Sequence, residues 1–296
     1  MKLNDHFQRF LEERRYLKGV SAKTLRCYRG AWNAFEPFLA DVKSEKQLRG
    51  KLKDAVMSMR QRKPSKSMKV LRVVSINNYI RHMNAFTAWM LAEKIITEPA
   101  RLDKMKEPTI IRKILSDDDI RAFMRFKPRH GNEKRVQMMG LVVLDCGLRL
   151  EEVRKLKRKD IDFDNFLIKV FRGKGDKQRI VPFGIELRKS LFKWVVNLQA
   201  TDFLFGTKSG RLVSQRNALR DLHTVGEKLK IMDIGFHKMR HTFATNYYKR
   251  SRDLVALQRI LGHATITTTM IYMHMQTEDL TEHNQERSLL NALRTA

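Results

Sequence analysis

The sequence predicts a mainly α-helical protein with a small antiparallel β-sheet, built as a helical N-terminal domain followed by an α+β domain. Three observations carry that prediction. Apolar residues recur every three or four positions through much of the 296 residues, the period of helices with one buried face. A charge-rich stretch with two prolines, EPARLDKMKEPTIIRK, interrupts this pattern near residue 100 and leaves a block on each side long enough for its own core. Past it, FLIKVFRGKGDKQRIVPF exchanges the helical period for two β-rich runs flanking glycines.

Taken in order, the chain opens with MKLNDHFQRFLEERR, in which charges alternate with apolar residues and no signal-peptide core is present. From Ser21, a residue suited to an N-cap, Leu25, Tyr28, Trp32, Phe35 and Phe38 mark one buried helix face. Ile76, Tyr79, Met83, Phe86 and Met90 mark a second helix from Ser75, and the stretch between them gives further helix broken by a basic Pro/Ser loop. Residues 1–100 thus read as an all-helical bundle, 101–113 as a linker, 114–280 as the second domain and 281–296 as a terminal segment. A capping signal, Ser116 with Asp119 three residues on, starts the second domain. Its β-rich runs, Phe166 to Arg172 and Gln178 to Pro182, form a hairpin with Lys174 in the turn. Helical patterns return at IELRKSLFKWVVNL, at SQRNALRDLHTVGEKL and from Phe236.

Charge narrows the function. The formal net charge is +28, with 25 Lys and Arg against 11 Asp and Glu through residue 112 and 35 against 21 beyond it. Both halves are basic, which calls for a polyanionic partner, and nucleic acid is the first candidate. Two cysteines, Cys27 and Cys146, lie far apart, so neither a disulfide framework nor a zinc ribbon is available and the chain reads as reduced and intracellular. The longest apolar patch, MMGLVVL, is far too short to span a bilayer, and a membrane is not an expected partner.

Four segments of the second domain hold residues able to do chemistry, and each has an ordinary reading when taken alone. Arg149 and Glu152 in CGLRLEEV have the i, i+3 spacing of an ion pair on a solvated helix. Lys174 in RGKGDK is a turn lysine, although the flanking glycines allow close approach to a phosphate backbone. In GFHKMRH, His237 and Arg240 share a helix face, with Met239, Phe243 and Tyr247 on the packing side. His237 and His241 also have the i, i+4 spacing of metal ligands, but Lys238 stands where a zinc peptidase carries glutamate and Arg240 repels a cation. In LGHATITTTMIYMH, Gly262 ends a helix, His263 follows at the turn, and a short helix among the threonines carries Tyr272, which by burial habit alone is a core residue.

Together these side chains are an inventory for phosphodiester chemistry without a metal or other cofactor. Negative charge gathers on the non-bridging oxygens of a phosphate under attack, and guanidinium forks match two such oxygens at once. A tyrosine hydroxyl becomes a nucleophile only by losing its proton, which a neutral histidine can take, while a lysine can protonate the departing oxygen.

The ordered segments GLRLEEV, GKGDKQRIVP, HKMRHTFAT and LGHATITTTMIY resemble the boxes of the tyrosine recombinases of the phage integrase family, over residues 114–280. More loosely, GVSAKTLRCYRGAWNAFEPFL and SINNYIRHMNAFTAWMLAEKIITEPA are similar to that family's core-binding domain. Glu98, where asparagine is common, and Met239, where leucine is usual, depart from the pattern without touching the chemistry. The resemblance implies a C-shaped DNA clamp in which Tyr272 is the nucleophile forming a 3′-phosphotyrosyl bond. Arg149, Arg240 and His263 would hold the scissile phosphate, His237 would exchange a proton with the nucleophile, Lys174 would protonate the leaving 5′ oxygen, and Glu152 would orient its neighbours. It further implies double-stranded DNA with specific sites as partner, a homotetramer or a heterotetramer with related recombinases, exchange through a Holliday junction, and a cytoplasmic place on the nucleoid. The terminal segment with Leu289, Leu290 and Leu293 would dock on a neighbouring subunit or fold back on its own domain. Two other functions stay open at this point: DNA relaxation in the manner of type IB topoisomerases, and DNA binding without catalysis.

Overall fold

The computed structural model describes residues 2–61, 71–107, 113–171 and 178–273. The chain divides into two compact units, Met1–Ile110 and Ile111–Ala296.

Among the described residues the first unit consists of α1 (Leu3–Tyr16), α2 (Ala22–Leu39), α3 (Glu45–Gln61) and α4 (Val73–Ala92). Ser21 caps α2 as its sequence position suggests, its Oγ accepting the Thr24 amide at 3.2 Å. Helix α4 starts two residues before Ser75, because the extended backbone of Arg72 takes the N-cap position. The core is aromatic: Phe7 stacks on Trp32 with centroids 4.4 Å apart and meets Phe86 edge-on at 5.3 Å. Such rings bury large areas and add pairwise attraction of about 1 kcal/mol. Two asparagines tie down the segment after α4. Asn84 exchanges hydrogen bonds with both backbone groups of Leu102, and Asn77 does the same with Met105, at 2.8 to 2.9 Å.

The second unit opens with α5 (Asp117–Arg125), α6 (Gly131–Cys146) and α7 (Leu150–Lys155). Strands β1 (Ile161–Asp162), β2 (Leu167–Val170) and β3 (Arg179–Pro182) follow, and then α8 (Ile185–Trp194), α9 (Gln215–Leu229), α10 (Phe236–Ser251), α11 (Leu254–Leu261) and α12 (Thr267–Met270). The fold class is the expected one, mainly helical with a small antiparallel sheet of order β1-β2-β3. Ser116 and Asp119 form both halves of a capping box at α5, each bond 3.1 Å long. The hairpin register pairs Ile168 with Val181 and Val170 with Arg179. Phe166 lies outside β2: its φ of 58° is left-handed and belongs to the reversal from β1, a two-residue strand too short to show alternation in sequence. Helix α6 runs through the middle of the core, with Val136, Met139, Val142, Val143 and Cys146 buried. Among the described residues no helix is long and apolar enough to cross a membrane.

Candidate active site

Helix ends build the site. The last carbonyls of an α-helix have no partner within it and carry its negative partial charge, so they attract cationic donors. At the end of α11, the Arg179 Nε donates to the Ile260 carbonyl at 2.8 Å. The neighbouring Leu261 carbonyl accepts from Arg240 Nη2 at 2.9 Å and from Arg149 Nη1 at 3.4 Å. Gly262 follows in the left-handed region at φ 64°, the helix-ending conformation its type suits. The end of α6 contributes in the same way: Gly147, also at φ 64°, presents its carbonyl to Arg240 Nη1 at 2.5 Å. A Cβ on Gly147 would lie 2.3 Å from the Phe243 ring, so glycine is required there by space as well as by backbone.

Arg149 is the N-cap of α7, and its amide donates to Glu152 Oε2 at 2.8 Å. That bond points the carboxylate inward, where Arg149 Nη1 reaches Oε1 at 3.1 Å. The i, i+3 pair is therefore only the outer edge of a larger cluster. From β3, Arg179 grips both Glu152 oxygens at 2.8 Å each, a forked pairing well suited to a carboxylate. Burial pushes the Glu152 pKa up, but the hydrogen bonds and charge of Arg179 and the Arg149 amide prevail and hold it down at about 2. The carboxylate is anionic at neutral pH.

Among the described residues this cluster sets three guanidinium groups, Arg149, Arg179 and Arg240, around one carboxylate. Arg240 is only 4% exposed. Burial first, and then repulsion from Arg149 and Arg179, lowers its pKa to about 10 against the favourable charges of Glu152 and Tyr272. It stays protonated at neutral pH, in a place that lacks negative charge. An incoming anion supplies what is missing.

The sequence-selected histidines take separate places. His263 Nε2 lies 3.1 Å from Arg240 Nη2, and its Nδ1 lies 2.9 Å from the hydroxyl of Thr269, a fully buried residue of α12. A guanidinium only donates, so Nε2 is the acceptor; the ring proton sits on Nδ1 and is donated to Thr269. His237 lies at the surface of α10, its ring edge-on to His241 with centroids 4.8 Å apart.

Tyr272 lies two residues beyond α12, in a turn rather than in the helix the threonines suggested. Its side chain is 3% exposed and packs with Ala244, Leu257 and Leu261. Its hydroxyl lies 3.0 Å from His241 Nδ1. Arg149, Arg240, His263 and Glu152 are thus brought together, and Tyr272 and His237 meet on either side of His241, the residue after Arg240. Lys174 and the terminal segment 281–296 lie outside the described residues. Arg179 and Thr269 are contacts that motif reading did not single out, and His241 was singled out there only for its metal-ligand spacing, although each lies inside a quoted motif. No three His, Cys, Asp or Glu among the described residues are grouped as metal ligands would be.

Known proteins give a consistent picture. The family model described as phage integrase family matches residues 113–279. A tyrosine recombinase XerC of Thermodesulfovibrio yellowstonii is 30% identical over 294 residues, 92% of each chain. The crystal structure of a XerA recombinase, 25% identical, aligns over 96% of this chain and 98% of its own with a TM-score of 0.53. A Tn1549 transposon integrase in complex with transposon right end DNA shares the fold, with a TM-score of 0.76 at 20% identity over 96% of this chain and 99% of its own.

Proposed function

The chain belongs to the phage integrase family, and from that membership we propose that Tyr272 cleaves DNA at specific sites by bonding to the 3′ phosphate and that the strand is then rejoined to a new partner. It is a tyrosine-type site-specific recombinase that acts on double-stranded DNA. Similarity to a XerC recombinase along 92% of the chain favours recombination over DNA relaxation, and the complete tyrosine and arginine set disfavours binding alone.

The observation that carries the mechanism is the unbalanced positive cluster around Glu152 beside a tyrosine whose hydroxyl contacts the residue following Arg240. Arg149 and Arg240 meet the non-bridging oxygens as charge develops, and His263 adds a hydrogen bond once phosphate replaces its contact with Arg240, the ring proton passing to Nε2 while Nδ1 accepts from the Thr269 hydroxyl. The Tyr272 oxygen attacks phosphorus and gives up its proton to His237. Lys174 protonates the leaving 5′ oxygen. The phosphotyrosyl ester retains the energy of the broken bond, so rejoining consumes no ATP. Because Tyr272 is buried, DNA binding has to uncover its oxygen before in-line attack. Residues 1–100 serve as the core-binding domain, 101–113 as linker and 114–280 as catalytic domain. Four subunits exchange strands between two duplexes through a Holliday junction, and 281–296 docks on a neighbouring subunit or folds back on its own domain.

The test is a duplex nicked near the cleavage site, so that the short product strand is lost and the covalent adduct is trapped. Wild-type protein should accumulate adduct in EDTA, and Tyr272→Phe should accumulate none. Adduct with the phenylalanine variant would refute the assignment. With a net charge of +28, affinity should fall on the order of 10³-fold between 50 and 200 mM salt by counterion release.

A further inference from the structure

Glu152 lies among three guanidinium groups, and its bonds are divided unequally between them. Arg179 Nη1 donates to Oε1 and Nη2 to Oε2, each at 2.8 Å. The remaining acceptor positions go to Arg149, whose amide donates to Oε2 at 2.8 Å and whose Nη1 donates to Oε1 at 3.1 Å. An ionised carboxylate has about four such positions, two on each oxygen, so Glu152 is saturated. Arg240 Nη1 stands 4.0 Å from Oε2 and donates instead to the Gly147 carbonyl, while its Nη2 donates to that of Leu261. Arg179 itself is held from two sides. Its backbone is paired with Val170 in the hairpin register, and its Nε donates to the Ile260 carbonyl at 2.8 Å, next to the carbonyl that anchors Arg240.

We propose that Arg179 is a positioning residue for the scissile phosphate: by forking onto both oxygens of Glu152 it keeps that carboxylate from pairing with Arg240, whose charge is then left for the phosphate. The need follows from distance. From 4.0 Å, a shift of about 1 Å would bring the carboxylate into a direct ion pair with Arg240, and that pair would compete with the phosphate for the same donors. Arg179 supplies the opposing hold. Its charge works in the same direction, since repulsion from Arg149 outweighs the attraction of Glu152 at Arg240 and Arg179 adds to that repulsion. Glu152 still orients Arg149 through the amide bond. None of the bonds made by Glu152 or Arg179 involves Tyr272, the residue that has to be uncovered before attack. The inference rests on the reading of Arg149 and Arg240 as the phosphate clamp and names the residue that keeps the clamp free of its own counter-charge.

The experiment measures how much the charge of the scissile phosphate contributes to binding. Full-length protein carrying Tyr272→Phe, chosen to block cleavage, is titrated with two duplexes that differ only at the scissile position, one with the natural phosphate and one with a neutral methylphosphonate. Both affinities come from one preparation, so a loss of folded protein cancels in their ratio. The parent protein should prefer the charged duplex at least about tenfold. Arg179→Gln should reduce that preference to about twofold or less, because the freed carboxylate pairs with Arg240. Adding Glu152→Gln should restore it, since no carboxylate is left to pair. Arg179→Lys keeps the charge without the fork and should fall between the parent and Arg179→Gln. An Arg179→Gln protein with the parent's preference, a double variant no better than Arg179→Gln, or an Arg179→Lys protein equal to the parent would overturn the proposal. A parent protein indifferent to the charge of the phosphate would instead strike the clamp reading itself, which separates the two failures.

Discussion

Arg240 and His241 are neighbours on α10, yet they belong to regions built on different principles. The guanidinium of Arg240 is tied to the ends of α6 and α11, the end of α11 also anchors Arg149 and Arg179, and Glu152 links these side chains further. Tyr272, beside His241, follows a four-residue helix and rests on Ala244, Leu257 and Leu261 with its hydroxyl against an imidazole. One region is positive charge fixed in place before substrate arrives, which is what makes preorganised electrostatics effective. The other, on the proposed reading, is a nucleophile stored under cover. The difference teaches that charge complementarity is set by the fold of the second unit, whereas the proposed covalent step requires Tyr272 to be uncovered first.

Breaking the fixed region should have the largest effect. Arg240→Lys removes the fork and the bond to His263, and should lower the cleavage rate about 10³-fold while the protein still binds DNA; single-turnover adduct formation measures it. Glu152→Gln should destabilise the second unit by about 3 kcal/mol, since it leaves buried guanidinium groups without their counter-charge; chemical denaturation followed by fluorescence reads that loss. The sign of its pH dependence follows from a folded pKa of about 2, below the ordinary glutamate value of 4.5. Its stabilisation is complete above the ordinary value and disappears as pH falls toward 2, and the substitution should remove that part of the acid sensitivity. The smallest change sharpens the border between the regions. Thr269→Val deletes the hydroxyl that holds His263 Nδ1 and should reduce cleavage about tenfold, at a stability cost of about 1 kcal/mol; adduct kinetics beside a thermal melt separate the two effects.

The sequence made legible whatever is local. Ser21, the Ser116–Asp119 box and Gly262 declare helix ends because a cap needs only its next few residues, and all three hold. The hairpin is equally local, although Phe166 leaves β2 for the turn. Arg179 escaped notice because its partner Glu152 lies 27 positions earlier, and the link from His241 to Tyr272 spans 31. Nothing in the spacing of one element reports which element will face it. Tyr272 was picked out by its motif, but its place in a turn was not legible, since a helix of only four threonine-rich residues has almost no periodic signal.

The most direct measurement maps the covalent bond. Adduct trapped on the nicked duplex would be digested with nuclease and protease, and the modified peptide sequenced by tandem mass spectrometry. The account predicts a nucleotide joined through its 3′ phosphate to the oxygen of Tyr272. A nucleotide on any other side chain, or one joined through a 5′ phosphate, would contradict it.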